Sequence, residues 1–352
     1  MEKPFVSIII ATYKRAYLLD CVLNALTNQT YKNFEVLAIV KPSEDKTEDI
    51  IEKYSNRLKI KVISQSKGFV VDALNLGLKK TKGQITIFLD DDAIPFPNLV
   101  QTHVESYRLS NIGGVAGNLL TTTIDDLEIC DFKKKPSELV HSFNRTSLAT
   151  RIGMKVWNQP IKGLEDYLFY ISKAGIASMN NKVADSANHQ IRKSLLGRGA
   201  NMSVLSATVE EFSFPNSWIL GFTFEQFLGW YLWKKGYTVI FNPKIQAYHI
   251  QHGQSLSRNL ETKRETLLHI EKKILFYRLY GIEPELSVMH RIVWLIVETM
   301  IDVKRICINK EIHRIARIKS TLYSEVIGIK WTLYNMLNLT YSPLSDLEKL
   351  LK

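Results

Sequence analysis

The sequence predicts an α/β protein, a mostly parallel β-sheet flanked by helices, with a C-terminal α-helical extension. Three observations predict it. Short β-branched runs alternate with helical stretches from Phe5 to Leu89. Three consecutive aspartates, Asp90, Asp91 and Asp92, directly follow the apolar run Ile85-Thr86-Ile87-Phe88-Leu89. Beyond Arg258 the spacing of apolar residues becomes helical.

The elements follow in order. Phe5 to Ala11 is a β-branched run suited to a strand buried on both faces, and Leu18, Leu19, Val22, Leu23 and Leu26 then recur at helical spacing. Phe34 to Val40 reads as a second strand, and Ile50, Ile51 and Tyr54 share one helical face. Lys59 to Ser64 gives a third strand, Val70 to Lys79 a third helix and Ile85 to Leu89 a fourth strand. Repeated strand–helix units imply parallel strands, and open parallel sheets bind ligands beyond the carboxyl ends of their strands. The expected crevice therefore lies where Ala11, Val40 and Asp90 emerge, and its carboxylates are expected to be exposed. Adjacent carboxylates repel one another and are costly to bury without a cation, so the aspartate run points to a hard divalent metal, Mn2+ or Mg2+, with phosphate as the remaining ligand.

Composition narrows the partners. The chain has 352 residues and a formal net charge of +11, which favours anionic partners: nucleotide phosphates, a lipid headgroup surface or nucleic acid. Nucleic acid is set aside because the cations are dispersed and not interleaved with aromatics along one element. Only Cys21, Cys130 and Cys307 are present, without CxxC spacing, so free thiols in a reducing compartment are expected. Met1-Glu2-Lys3-Pro4 leads straight into a strand without a signal-peptide pattern, which points to the cytoplasm. The most apolar late segment, Val288 to Ile308, is interrupted by His290, Arg291, Glu298, Asp302, Lys304 and Arg305, so no spanning helix is expected.

Between Leu119 and Arg198 the pattern is irregular and basic, with Lys133, Lys134, Lys135, Arg145, Arg151, Lys155, Lys162, Arg192 and Lys193. These cations suit solvated loops or, as a group, an acceptor site for something anionic. In the extension, Leu267, Leu268, Ile274, Leu275 and Leu279 form one stripe with cations opposite. That stripe fits packing on the catalytic domain, packing on a second subunit in a homodimer, or peripheral contact with an anionic membrane surface.

Taken together the residues resemble glycosyltransferase family two, the inverting, nucleotide-sugar-dependent enzymes of GT-A fold, from about Val6 to Arg258. Val6-Ser7-Ile8-Ile9-Ile10-Ala11-Thr12-Tyr13-Lys14-Arg15 is similar to the family's opening strand and nucleotide-contacting turn. Gly68, Asp72 through Gly77, Gly83 and Phe88 through Ala93 resemble the segment that ends in its DxD motif. Gly199-Ala200-Asn201 resembles a short motif beside the acceptor, Phe224-Glu225 stands where a Glu-Asp pair is usual, and Ala247-Tyr248-His249 resembles the late histidine.

The resemblance implies a GT-A domain over residues 1–258, a helical extension over 259–352, and transfer of a sugar from a nucleotide-diphosphate donor to a hydroxyl of a glycan or lipid-linked acceptor. It implies metal contact by Asp92 and His249. Donor contact falls to Ala11, Thr12, Tyr13, Asn75, Asp90 and Asp91, and Glu225 becomes the general base. Val40 and Lys41 occupy the places of two aspartates, one of which usually reads the base, so the nucleotide stays open. Neither GxxxxGK[ST] nor a GxGxxG turn after the first strand is present, which argues against a P-loop ATPase and a dinucleotide dehydrogenase. A non-catalytic nucleotide-sugar-binding or scaffold protein of the same fold is the alternative.

Overall fold

The computed structural model describes residues 3–123, 159–173, 177–197, 199–214, 224–251 and 288–309, with a few single positions beyond. Lys133, Lys134, Lys135, Arg145, Arg151, Lys155, Arg198, Cys130 and the stripe from Leu267 to Leu279 lie outside these residues. The sequence expectations for them are therefore neither met nor contradicted.

The strands β1 (Val6–Thr12), β2 (Phe34–Val40), β3 (Ile60–Ser64) and β4 (Ile85–Leu89) are mutually parallel in the order β3-β2-β1-β4. β2 and β4 are buried along their whole length, as expected of uninterrupted apolar runs covered on both faces. The helix α1 (Ala16–Thr27) buries Leu18, Leu19, Val22, Leu23 and Leu26, the same five residues that the spacing singles out. α2 (Thr47–Tyr54) buries Ile51 and Tyr54, and α3 (Val70–Leu78) buries Val71, Ala73 and Leu74. β3, at the sheet edge, is half-exposed, with Lys61 and Val62 outward.

Beyond β4 the strands run in both directions. After β5 (Ala93–Pro95) and α4 (Leu99–Ser106), the chain forms β6 (Ile112–Thr123), later β9 (Arg192–Lys193), β10 (Asn201–Leu205) and the long β11 (Thr238–Gln251). The order continues β4-β10-β6-β11-β5: β10 runs antiparallel to β4 and β6, β11 parallel to β6, and β5 antiparallel to β11. β7 (Phe169–Ile171) and β8 (Ala177–Met179) form a separate hairpin-like pair. The sheet is thus more mixed than the strand–helix alternation predicts, because that alternation ends at Leu89.

Polar side chains enter the core of this second half. His103 on α4 is fully buried, with Nε2 3.0 Å from Asn201 Oδ1 and Nδ1 2.8 Å from Ser203 Oγ. Ser203 Oγ also lies 2.8 Å from the Tyr107 hydroxyl. One arrangement satisfies every proton: Tyr107 donates to Ser203, Ser203 to His103 Nδ1, and His103 Nε2–H to Asn201. Burial depresses the His103 pKa to about 4, so the imidazole is neutral, as this arrangement requires.

The helix Val288–Asn309 is the part of the extension that is described, and no helix among the described residues is long and apolar enough to cross a membrane.

Candidate metal and donor site

The site forms where the parallel half ends. At the end of β1 the turn Tyr13-Lys14-Arg15 places Lys14 at φ 55°, in the left-handed region, and sends the chain directly into α1. That reversal points Arg15 back across the sheet, with Nη1 2.8 Å from Asp91 Oδ1 and 3.4 Å from Asp92 Oδ2. The β4 end is fixed from its other side, where the Asp90 amide donates to the Ala200 carbonyl at 3.3 Å and Ala93 N closes a turn onto Asp90 O at 3.1 Å. β5 then pairs with β11, His249 opposite Ala93, and Ile250 N donates to the Asp92 carbonyl at 2.9 Å. This ladder delivers His249 Nε2 to within 3.4 Å of Asp92 Oδ1.

Asp90, Asp92 and His249 each direct one ligand atom into a space where all three lie within 4.8 Å of one another. Two carboxylate oxygens and an imidazole nitrogen suit Mn2+ or Mg2+, with coordination positions left for phosphate oxygens and water. The carboxylates are not the exposed groups that the sequence suggests: Asp91 is 2% and Asp92 6% exposed. The triple-aspartate turn is folded under β11 and Arg15, so it needs cationic compensation more than an open crevice would. Burial, reinforced by the Asp92 carboxylate, pushes the Asp90 pKa up to about 7, against the attraction of His249 and Arg15. Burial also raises the Asp91 pKa, and Arg15 works against that rise. Burial opposes the Arg15 charge, but Asp91, Asp92 and Asp90 outweigh it and raise its pKa.

The remaining residues fall around this cluster. Ala11 is half-buried and Thr12 buried at the end of β1, while Tyr13 is 42% exposed at the crevice mouth. Lys41 Nζ lies 5.2 Å from the Tyr13 ring centroid and donates to the Gly68 carbonyl at 3.1 Å. Val40 is buried in the core, so its side chain cannot read a base. Asn75 is also buried, and its amide brackets the backbone of Phe214, donating to Phe214 O at 2.7 Å and accepting from Phe214 N at 2.8 Å. These two bonds anchor the chain at Phe214.

Phe214 packs edge-on against Phe224 at 5.6 Å, and Phe224 fills the space above Gly199, where a Cβ would meet its ring at 2.5 Å. Phe224 opens the helix Phe224–Lys234, which carries Glu225 in its first turn. Contacts therefore run from Asp90 through Ala200, Gly199 and Phe224 to Glu225. Gln226 Nε2 donates to Glu225 Oε1 at 3.0 Å. Asn201, by contrast, is turned inward and fully buried.

Two residues stand out that the sequence did not single out. Arg15 supplies the cation for Asp91 and Asp92, and its only sequence signal was its place in the opening motif. Asp45 accepts hydrogen bonds from Ala16 N, Ser43 Oγ and Thr47 Oγ1, tying the start of α1 to the start of α2. Burial works to raise its pKa, but these bonds prevail and hold it below the ordinary value.

Sheet order, flanking helices and an aspartate–histidine cluster at the change of strand direction define a GT-A fold. The same fold is seen in the mannosyltransferase PcManGT from Pyrobaculum calidifontis, solved in complex with GDP-Man and Mn2+. That structure is 12% identical with a TM-score of 0.51, covering 94% of this chain and 88% of that one. Residues 7–156 match glycosyl transferase family 2. Glycosyltransferase AglE of Haloferax volcanii is 33% identical over 121 residues, which is 33% of this chain and 40% of that protein. The poly(ribitol-phosphate) beta-N-acetylglucosaminyltransferase TarS of Staphylococcus aureus is 25% identical over 221 residues, 58% of this chain and 38% of TarS. The chain thus spans well under half the length of these curated relatives.

Proposed function

We propose that the protein is a glycosyltransferase that moves a sugar from a nucleotide-diphosphate donor to an acceptor hydroxyl with inversion. The observation that carries this reading is the convergence of Asp90, Asp92 and His249 at the carboxyl end of the parallel strands, where Tyr13 is exposed and Lys41 half-buried. Those three residues would hold Mn2+ or Mg2+, which when bound supplies Lewis-acid stabilisation of the departing diphosphate. Arg15 holds Asp91 and one oxygen of Asp92, which orients the Asp92 carboxylate. Tyr13 offers an exposed aromatic ring, with Lys41 Nζ over it at 5.2 Å from the centroid, so this pair is proposed to meet the donor nucleotide with an aromatic surface and a cation.

Glu225 is the proposed general base. It takes the proton of the acceptor hydroxyl as that oxygen attacks the anomeric carbon. The bond from that carbon to the diphosphate oxygen breaks on the opposite face, so one displacement inverts the centre and no covalent enzyme intermediate is needed. A glycan or lipid-linked acceptor is proposed, in keeping with the polymeric acceptor named for TarS. The helix Val288–Asn309 turns Met289, Ile292, Ile296 and Met300 to solvent at spacings of three and four residues. That face supports peripheral docking on an anionic membrane. Co-sedimentation with anionic vesicles that falls as salt rises is the expected result, and salt-insensitive self-association would favour a homodimer instead.

The test of the site is a thermal-shift panel of UDP, GDP and other nucleotides with Mn2+ or Mg2+. A ligand at a hundred times its dissociation constant stabilises by about 2.7 kcal/mol. The wild type should show this shift with one nucleotide only when metal is present, and Asp92→Asn should lose it. A metal-independent shift, or one retained by folded Asp92→Asn, would overturn the assignment. Binding without transfer to any acceptor would favour the scaffold alternative.

A further inference from the structure

One buried amide joins β10, β6 and β11, the last of which carries His249 of the proposed metal site. Asn201 opens β10, directly after Ala200, whose carbonyl receives the Asp90 amide. Its side chain is fully buried, and Nδ2 donates to the Asn118 carbonyl of β6 at 3.1 Å and to the Ile245 carbonyl of β11 at 3.3 Å. Its Oδ1 lies 3.0 Å from His103 Nε2 on α4.

Those two carbonyls lie at an irregularity in β11, Ile245 within it and Asn118 opposite it on β6. Asn242 pairs with Gly117 and Gln246 with Asn118, so Pro243, Lys244 and Ile245 are taken up between adjacent residues of β6. After this bulge the strand resumes with His249 opposite Ala93, and Ile250 N bonds to Asp92 O at 2.9 Å. Side chains alternate along a strand, so a slip of one residue would turn His249 to the opposite face of the sheet and away from Asp92. Room for the amide comes from Gly117, where a Cβ would lie 2.3 Å from Asn201 Nδ2 and 2.7 Å from its Cγ. Gly117 is therefore required for space and not for an unusual backbone angle.

We propose that Asn201, seated against Gly117, is a positioning residue that clamps the β11 bulge and thereby sets the register that brings His249 to Asp90 and Asp92. The inference rests on the metal reading of that cluster. It predicts that disturbing a residue with no access to the metal changes metal affinity, which loss of stability alone would not do.

Mn2+ binding to the full chain is measured by electron paramagnetic resonance without donor, on protein shown to be folded by circular dichroism. Asn201→Ala and Gly117→Ala should each weaken Mn2+ binding by about 10-fold or more, the range seen when outer groups that orient metal ligands are lost. Adding Gly117→Ala to Asn201→Ala should cost nothing further, because the alanine at 201 leaves the new methyl group room. If Asn201→Ala does not fold, Gly117→Ala reads the same displacement. Wild-type Mn2+ affinity in either folded single variant, or additive losses in the double variant, overturns the proposal. If the wild type binds no Mn2+ while His249→Ala also changes nothing, the metal reading itself fails.

Discussion

The two halves of the sheet solve the same problem with different chemistry. In β3-β2-β1-β4 the strands are parallel and the covered faces are mostly apolar: Ile8, Ile9, Ile10, Val36, Leu37, Ile39 and Ile87 have no exposed surface, and Ser7, Thr12, Glu35 and Thr86 are the buried polar side chains of these strands. In β10-β6-β11-β5 parallel and antiparallel pairs are mixed and the interior carries Asn201, Ser203, Asn242 and His103. Non-directional burial suffices where repeated strand–helix units dictate the order. Where strands run both ways and β11 must absorb a bulge, hydrogen bonds that work in only one register add the specification that apolar contacts lack. The candidate site lies on the seam, with Asp90, Asp91 and Asp92 supplied by the apolar half and His249 by the polar one.

The contrast can be broken experimentally. The largest effect is expected in the parallel half: Leu37→Ala removes a fully buried side chain and should cost about 3–4 kcal/mol in urea unfolding, with the site intact once folded. A loss under about 1 kcal/mol would show that this core is loosely packed.

Next comes pH, which should act on the polar half. The folded protein holds the His103 pKa near 4, against 6.5 in the unfolded chain. Below pH 6.5 the unfolded chain takes up a proton that the folded protein excludes, so stability falls as pH drops from 6.5 toward 4. The full contribution is up to about 3 kcal/mol. Comparing unfolding of wild type and His103→Gln across that window checks it, since the variant should show a shallower fall; equal slopes would remove His103 as the cause.

Catalysis offers a sharper probe of the same half, since Glu225 is placed by Phe224, Phe214 and Gly199. Glu225→Gln is nearly isosteric but cannot take a proton. Donor binding should survive, and transfer should fall by about 100-fold or more, equivalent to about 2.7 kcal/mol. Transfer near the wild-type rate would place the base elsewhere. The smallest effect is expected for Tyr107→Phe, which deletes one end of the Ser203–His103 chain while Ser203 keeps its histidine partner. It should cost about 1 kcal/mol, read from the denaturation midpoint at pH 7.

The parallel half was legible because its signals are local. Strand runs, helical spacing and the aspartate turn after β4 are consecutive residues whose burial follows from periodicity, so β2, β4 and the buried face of α1 agree with the sequence. The mixed directions of β10, β6 and β11 were not legible, because their partners lie far apart in sequence and Asn201↔Leu89 or Gln246↔Asn118 leaves no periodic trace.

By itself the sequence determined the α/β class, the position of the acidic turn and the residue types able to bind a divalent cation. Those depend on chain-local spacing and on the cost of placing carboxylates side by side. Only the tertiary structure decided that Arg15 compensates Asp91 and Asp92, that Asp90, Asp92 and His249 bring one potential ligand atom each to within 4.8 Å of one another, and that Asn75 and Asn201 hydrogen-bond backbone groups inside the protein. Each of those outcomes depends on which strand lies beside which. Strand neighbours are chosen by summed burial and hydrogen bonding over the whole sheet, a quantity that no single segment contains.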